Sequence, residues 1–162
     1  MFSCHCPVPT CLLVIFLLAY PLSAAQSDAD SPVAELPGIR LEMIVDAPQI
    51  ATPTSIDVDA NGQIYTIACH THFRPASYEG PQFDEILVFD ADGSHRRVFY
   101  NRTRTTMQVL LGPDNWVYLA QRDRILRIRD TDRDGVADLE ENIATLETIA
   151  DYPHNGLSGL AW

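Results

Sequence analysis

The sequence predicts an all-β fold, a partial β-propeller of about two and a half four-stranded repeats. Three observations point there. A hairpin pattern recurs: Thr54 to Ala68 flanks Asn61-Gly62, and Met107 to Ala120 repeats the plan, with Tyr65 and Tyr118 in equivalent places 53 positions apart. Each hairpin is followed by a further strand and an acidic turn, at 84–93 and at 124–134. The second of these strands alternates Leu126 and Ile128 with Arg127 and Arg129, the period of a half-buried strand.

Residues 1–25 have the form of a secretory signal. The apolar run from Cys11 to Tyr20 is too short for a membrane span, and Ser23-Ala24-Ala25 favours cleavage before Gln26. The expectation is export to a periplasmic or extracellular space. No Lys or Arg precedes the apolar run, so retention as a membrane anchor is the alternative. Residues 26–37 are rich in Ser, Asp, Ala and Pro and form a linker. Cys4, Cys6 and Cys11 fall in the signal, which leaves Cys69 alone in the mature chain. An internal disulfide and a C-x-x-C-H haem attachment are both excluded.

Residues 38–162 then hold the repeats. Leu157 to Trp162 has the pattern of the first strand of a third copy, with Trp162 matching Leu111, 51 positions earlier. Propellers close with about 4–8 blades. The expectation is the N-terminal part of a six- or seven-bladed propeller, completed by C-terminal blades or by a partner chain. A complete small β-domain is the alternative, and it would have to hide its strand edges.

Residues 130–141 read D-x-D-x-D-G-x5-E, a calcium-loop pattern with every liganding position filled. Asp130, Asp132 and Asp134 are spaced to turn carboxylates onto one cation, and Gly135 permits the sharp turn. The Val136 carbonyl, Asp138 and Glu141 supply the later positions. All ligands are oxygen, which suits a hard cation. A solvated acidic turn is the alternative, but it leaves crowded like charges unscreened. A strand enters this loop where an EF-hand needs a helix, and the exit is also expected to be a strand. Calcium is therefore expected as a structural clip.

The formal charge of -11 excludes nucleic-acid binding, which needs a basic footprint. Three histidines stand near polar turns. His154 sits in Pro153-His154-Asn155-Gly156, and imidazole titrates near neutral pH, so it suits proton abstraction. His70 and His72 are spaced to share one strand face, or to chelate a metal from a loop. A substrate-lining loop with Arg74 and Asn155, or no role, are the other readings.

These residues resemble a known group. The acidic loop, His154-Asn155-Gly156-Leu157, Leu160-Ala161-Trp162 and the segment from His70 through Pro75 to Leu87 look like the N-terminal propeller of membrane-bound dehydrogenases of planctomycetes and verrucomicrobia. That group is similar to quinoprotein sugar dehydrogenases, six-bladed propellers that use calcium and pyrroloquinoline quinone. The resemblance implies oxidation of a sugar or alcohol, with electrons passed through the quinone to a cytochrome c. It implies that His154 is the general base, since the run from His154 to Leu160 is similar to a His-x-x-Gly-x-Leu segment of that family, though one residue longer. The basic residues that hold the quinone in that family would lie beyond Trp162. A non-catalytic propeller that binds carbohydrate or protein is the rival reading, since fold alone does not decide function.

Overall fold

The computed structural model describes residues 32–72, 74–149, 152 and 154–162. The expected signal at 1–25 and the first part of the expected linker lie outside the described residues. The described residues divide between two units, 32–41 falling in the first and Glu42–Trp162 forming the second. In the first unit the described stretch is irregular apart from a turn in which Ile39 N–H donates to the Leu36 carbonyl.

The second unit is all-β, with no helix among the described residues. Its strands are β1 (Pro53–Val58), β2 (Ile64–Ala68), β3 (Asp84–Phe89), β4 (Arg97–Thr103), β5 (Thr106–Leu111), β6 (Val117–Gln121), β7 (Arg124–Arg129) and β8 (Leu139–Thr145). They make two four-stranded antiparallel sheets, β1-β2-β3-β4 and β5-β6-β7-β8. The alternation expected in β7 is present: Leu126 and Ile128 are buried, while Arg127 and Arg129 lie over the Trp116 ring at 4.3 and 5.5 Å. Trp116 is thus a packing residue, itself buried.

The turns depart from expectation in one respect. The Asn61-Gly62 connection is a five-residue turn over 59–63, in which Asp59 N–H donates to Gln63 O and Gly62 N–H to Asp59 O. The same two bonds recur at 90–94 and at 112–116. The fourth residue of each turn has positive φ: Gly62 at 83°, Gly93 at 81° and Asn115 at 63°. A short turn followed by one left-handed residue joins strands that a tight turn would splay, and Asn tolerates that conformation better than other side chains.

The core lies between the sheets. Ile67, Ile86, Val88 and Phe99 of the first sheet cluster with Val109, Leu119, Leu126 and Ile128 of the second. Each fully buried aliphatic side chain of this kind contributes roughly 1.5–3 kcal/mol. The first sheet is covered on its other face too: Leu87 and Phe89 are fully buried there, packed with Val45 and Ile50. At the far edge, every residue of β8 is exposed, and Glu140 and Glu141 give that strand the charge that discourages edge pairing.

The sheets join through β1 and β5, which run side by side in the same direction. Thr54 Oγ1 donates to Thr106 O at 2.9 Å, Ser55 Oγ meets both N–H and C=O of Val109 at 3.2 and 3.4 Å, and Leu111 N–H donates to Asp57 at 2.8 Å. The tail repeats the relation. Gln108 donates to Leu160 O at 3.0 Å and accepts from Leu160 N–H, and the Trp162 indole donates to Leu111 O at 3.0 Å. Residues 157–162 form no strand, contrary to expectation, because side chains rather than a backbone ladder hold them against β5. They nonetheless lie along β5 as β5 lies along β1.

Candidate functional site

The meander fixes which loops share an end. The turns β1–β2, β3–β4, β5–β6 and β7–β8 lie at one end of the strands. The β2–β3 loop, the β4–β5 and β6–β7 connections and the segment after β8 lie at the other. At about 3.3 Å per residue, strands of five to seven residues hold the two ends roughly 20 Å apart.

The acidic loop joins β7 to β8 at the first end. Carboxylate oxygens of Asp130, Asp132 and Asp134 lie within 4.8 Å of one another. Oxygens sharing a calcium ion at 2.3–2.6 Å are at most about 5 Å apart, so these three residues fit that cation. The loop is wound by its own carboxylates. Arg133 N–H (2.6 Å) and Gly135 N–H (2.9 Å) donate to Asp130, and Val136 N–H donates to Asp134 at 2.8 Å. Arg133 and Gly135 take positive φ, 64° and 92°, to make this winding. Asp138 closes the base, accepting from Thr131 N–H at 2.7 Å and Thr131 Oγ1 at 2.5 Å. Those bonds hold its carboxyl below the usual range.

Glu141 is not brought to the triad. It stands on β8 opposite Arg127 and accepts from that guanidinium at 2.5 and 2.8 Å. The reason is the exit element. Three residues of helix after Asp138 would advance about 4.5 Å and turn back toward the loop. Three residues of strand advance about 10 Å and carry Glu141 away. The expected strand exit and the expected Glu141 ligand were therefore incompatible.

The loop also reaches the first sheet. Ala137 is 2 % exposed, and its N–H donates to the Phe99 carbonyl of β4 at 2.7 Å. Glu140 accepts from the Tyr100 hydroxyl; burial first, and that carboxylate second, push the phenol pKa up. The acidic loop thus bridges the outer strands of the two sheets.

The histidines lie at the opposite end. The β2–β3 loop, residues 69–83, is much longer than the two-residue β6–β7 turn, and it carries His70, His72 and Arg74. His70 and His72 do not face one site. His70 is 8 % exposed and turned inward, with Nδ1 2.5 Å from Tyr78 Oη and Nε2 3.5 Å from Glu85. Arg74 braces the loop rather than lining a site: it donates to the His70 carbonyl, to Pro81 O at 2.7 Å and to Gln82 at 3.3 Å.

His72 meets His154 instead. Their Nε2 atoms lie 3.3 Å apart across 82 residues of sequence. The Tyr152 ring packs edge-on against His72 and tilted against His154, with centroids 6.4 and 5.2 Å away. Asn155 lies in the turn beneath, its N–H donating to Tyr152 O at 3.0 Å, and is exposed. Gly156 sets the position of this turn. Leu157 N–H donates to the Arg122 carbonyl at 3.0 Å, and a Cβ on Gly156 would overlap that oxygen.

Two supporting residues were not singled out from the sequence. Asp84 is fully buried, and its carboxylate accepts from Thr71 N–H (2.8 Å), Thr71 Oγ1 (2.8 Å) and Thr106 N–H (2.9 Å). Thr71 Oγ1 accepts in turn from Thr105 N–H at 2.6 Å. Asp84 therefore pins the residue between the two loop histidines to the start of β5. Cys69 is buried beside it; burial and then the Asp84 charge raise its thiol from 9.0 to about 11, so it is not a reactive or ligating thiolate at neutral pH. An acid opening a strand looks like any strand-end Asp in sequence, and only its burial marks it.

No curated protein and no solved structure matches this chain. A family described as a domain of unknown function, DUF7133, matches residues 29–162, nearly all of the chain and both sheets with their two sites. The chain belongs to the DUF7133 family.

Proposed function

We propose that this chain supplies the first two blades, and the start of a third, of a calcium-clipped β-propeller in an exported dehydrogenase that oxidises sugars or alcohols. Support for the propeller comes from the repeated side-by-side packing of β1, β5 and the tail, each offset by 51–54 residues from the last. Support for a calcium clip comes from the Asp130-Asp132-Asp134 cluster and from the Ala137–Phe99 bond that ties its loop to the other sheet.

The observation that carries the catalytic reading is the meeting of His72 and His154 at the end opposite the acidic loop. Oxidation of an alcohol carbon removes a hydride and the hydroxyl proton. A neutral imidazole at this site takes the hydroxyl proton, directly or through a water. Pyrroloquinoline quinone, where bound, would supply the hydride acceptor and a route for electrons to a cytochrome c. Calcium at the far end of the strands stabilises the scaffold and takes no part in the chemistry.

The test is dye reduction by the full-length protein, loaded with calcium and quinone, over a panel of sugars and alcohols. The expected result is turnover that falls more than about a hundredfold in His154→Asn, within the range general-base removal produces. No reduction of dye with any substrate would overturn the enzymatic reading and leave a calcium-dependent binding module.

A further inference from the structure

We infer that His72 and His154 form a two-imidazole site for a borderline divalent transition metal such as zinc or cobalt. The inference rests on the geometry of the pair and goes beyond the dehydrogenase reading.

Two imidazole nitrogens bound to one tetrahedral zinc at 2.0–2.1 Å stand about 3.3–3.4 Å apart. The Nε2 atoms of His72 and His154 stand 3.3 Å apart. Ring position sharpens the comparison. A straight Nε2–H···Nε2 hydrogen bond of this length holds the ring centroids about 5.6 Å apart, whereas rings whose lone pairs meet on a tetrahedral cation hold them about 5.2 Å apart. The observed centroid separation is 5.3 Å, with the planes inclined at 58°. That separation is shorter than a straight hydrogen bond gives and close to the value for two rings sharing a tetrahedral cation.

The surroundings suit that occupant. Imidazole favours zinc, cobalt, nickel and copper over calcium, while the acidic loop offers only oxygen. The two sites are at opposite ends of the strands, so each selects its own metal. His70, the histidine nearest in sequence, is buried and turned away from the pair, with Nδ1 on Tyr78 Oη and Nε2 3.5 Å from Glu85 without a hydrogen bond. Two protein ligands leave two positions for water or a substrate oxygen. A metal held there would supply a Lewis acid for an oxygen bound in one of those positions. Catalytic zinc sites have three protein ligands, so this one binds less tightly and fills only when metal is supplied.

The experiment titrates the full-length protein with zinc, then with cobalt, in buffer saturated with calcium so that the acidic loop stays filled. Calorimetry counts the sites, and the visible spectrum of the cobalt form reports tetrahedral nitrogen coordination. One equivalent is expected, with affinity falling more than about tenfold in both His72→Asn and His154→Asn and unchanged in His95→Asn. His95 is an exposed histidine bonded to Asp90 at 2.8 Å, remote from the pair, and serves as the control. His72 and His154 are not core residues, and circular dichroism verifies that the variants fold. Absence of a one-equivalent site, or a site indifferent to either substitution, overturns the metal assignment. Metal binding is read by calorimetry and the cobalt spectrum, and the dehydrogenase reading by dye reduction, so the two readings fail separately.

Discussion

Ser55 and Gln108, 53 positions apart, play the same part in successive sheets. Each brackets the N–H and C=O of a single residue in the neighbouring segment, Val109 for Ser55 and Leu160 for Gln108. Tyr65 and Tyr118 are separated by the same interval. The repeat seen as a hydrophobic pattern is therefore also a repeat of the contacts that set one sheet beside the next. Ser55→Ala should cost about 1–2 kcal/mol, the worth of two part-buried bonds, measured by chemical denaturation. Gln108→Ala should leave the sheets stable and speed amide exchange at Leu160. Equal exchange in both proteins would mean the tail is held by something other than Gln108.

Asp84→Ala should destabilise the fold by about 3 kcal/mol or more. It removes a fully buried carboxylate and strands the N–H groups of Thr71 and Thr106. A loss under about 1 kcal/mol would show that water replaces the carboxylate at no great cost.

Calcium should raise the unfolding midpoint of the wild type and not of Asp130→Ala or Asp134→Ala. Saturation a hundredfold above Kd stabilises by about 2.7 kcal/mol. Glu141→Gln should keep the full calcium response, because Glu141 is spent on Arg127. If that variant lost the response, β8 would have to rearrange on binding and the strand exit would be wrong for the loaded state.

Gly156→Ala should separate the histidines without unfolding the sheets. The added Cβ collides with the Arg122 carbonyl, so the turn bearing His154 must move. The expected outcome is loss of the His72–His154 contact in imidazole NMR spectra, with stability within about 1 kcal/mol of wild type.

Burial raises the Cys69 thiol to about 11 from 9.0. A raised folded pKa means that the unfolded chain releases this proton first as pH rises. Stability is then complete below pH 9 and declines toward pH 11. Cys69→Ala should flatten that decline in denaturation curves taken at about pH 7, 9 and 10.5, on either side of the unfolded thiol's value. Parallel declines in both proteins would assign the alkaline loss to other groups, Tyr100 among them.

Local spacing made much of this chain legible. Alternation in β7, the hairpin at Asn61-Gly62 and the Asp130-Asp132-Asp134 cluster all depend on residues a few positions apart, where backbone geometry ties spacing directly to direction in space. The same logic misled at Glu141, because a ligand pattern tuned to a helical exit was set on a strand that carries the residue away.

By itself, then, the sequence determined an all-β chain of repeated strands, an acidic loop with three clustered Asp residues, and His72 and His154 as separate candidates. Only the tertiary structure decided that His72 answers His154 and not His70, that buried Asp84 braces the loop between them, and that the acidic loop and the histidines stand at opposite ends of the strands. Those facts depend on the closure of long loops and on two sheets packing against one another. Residues 82 apart carry no mark of nearness until strand pairing and burial fix where each loop ends.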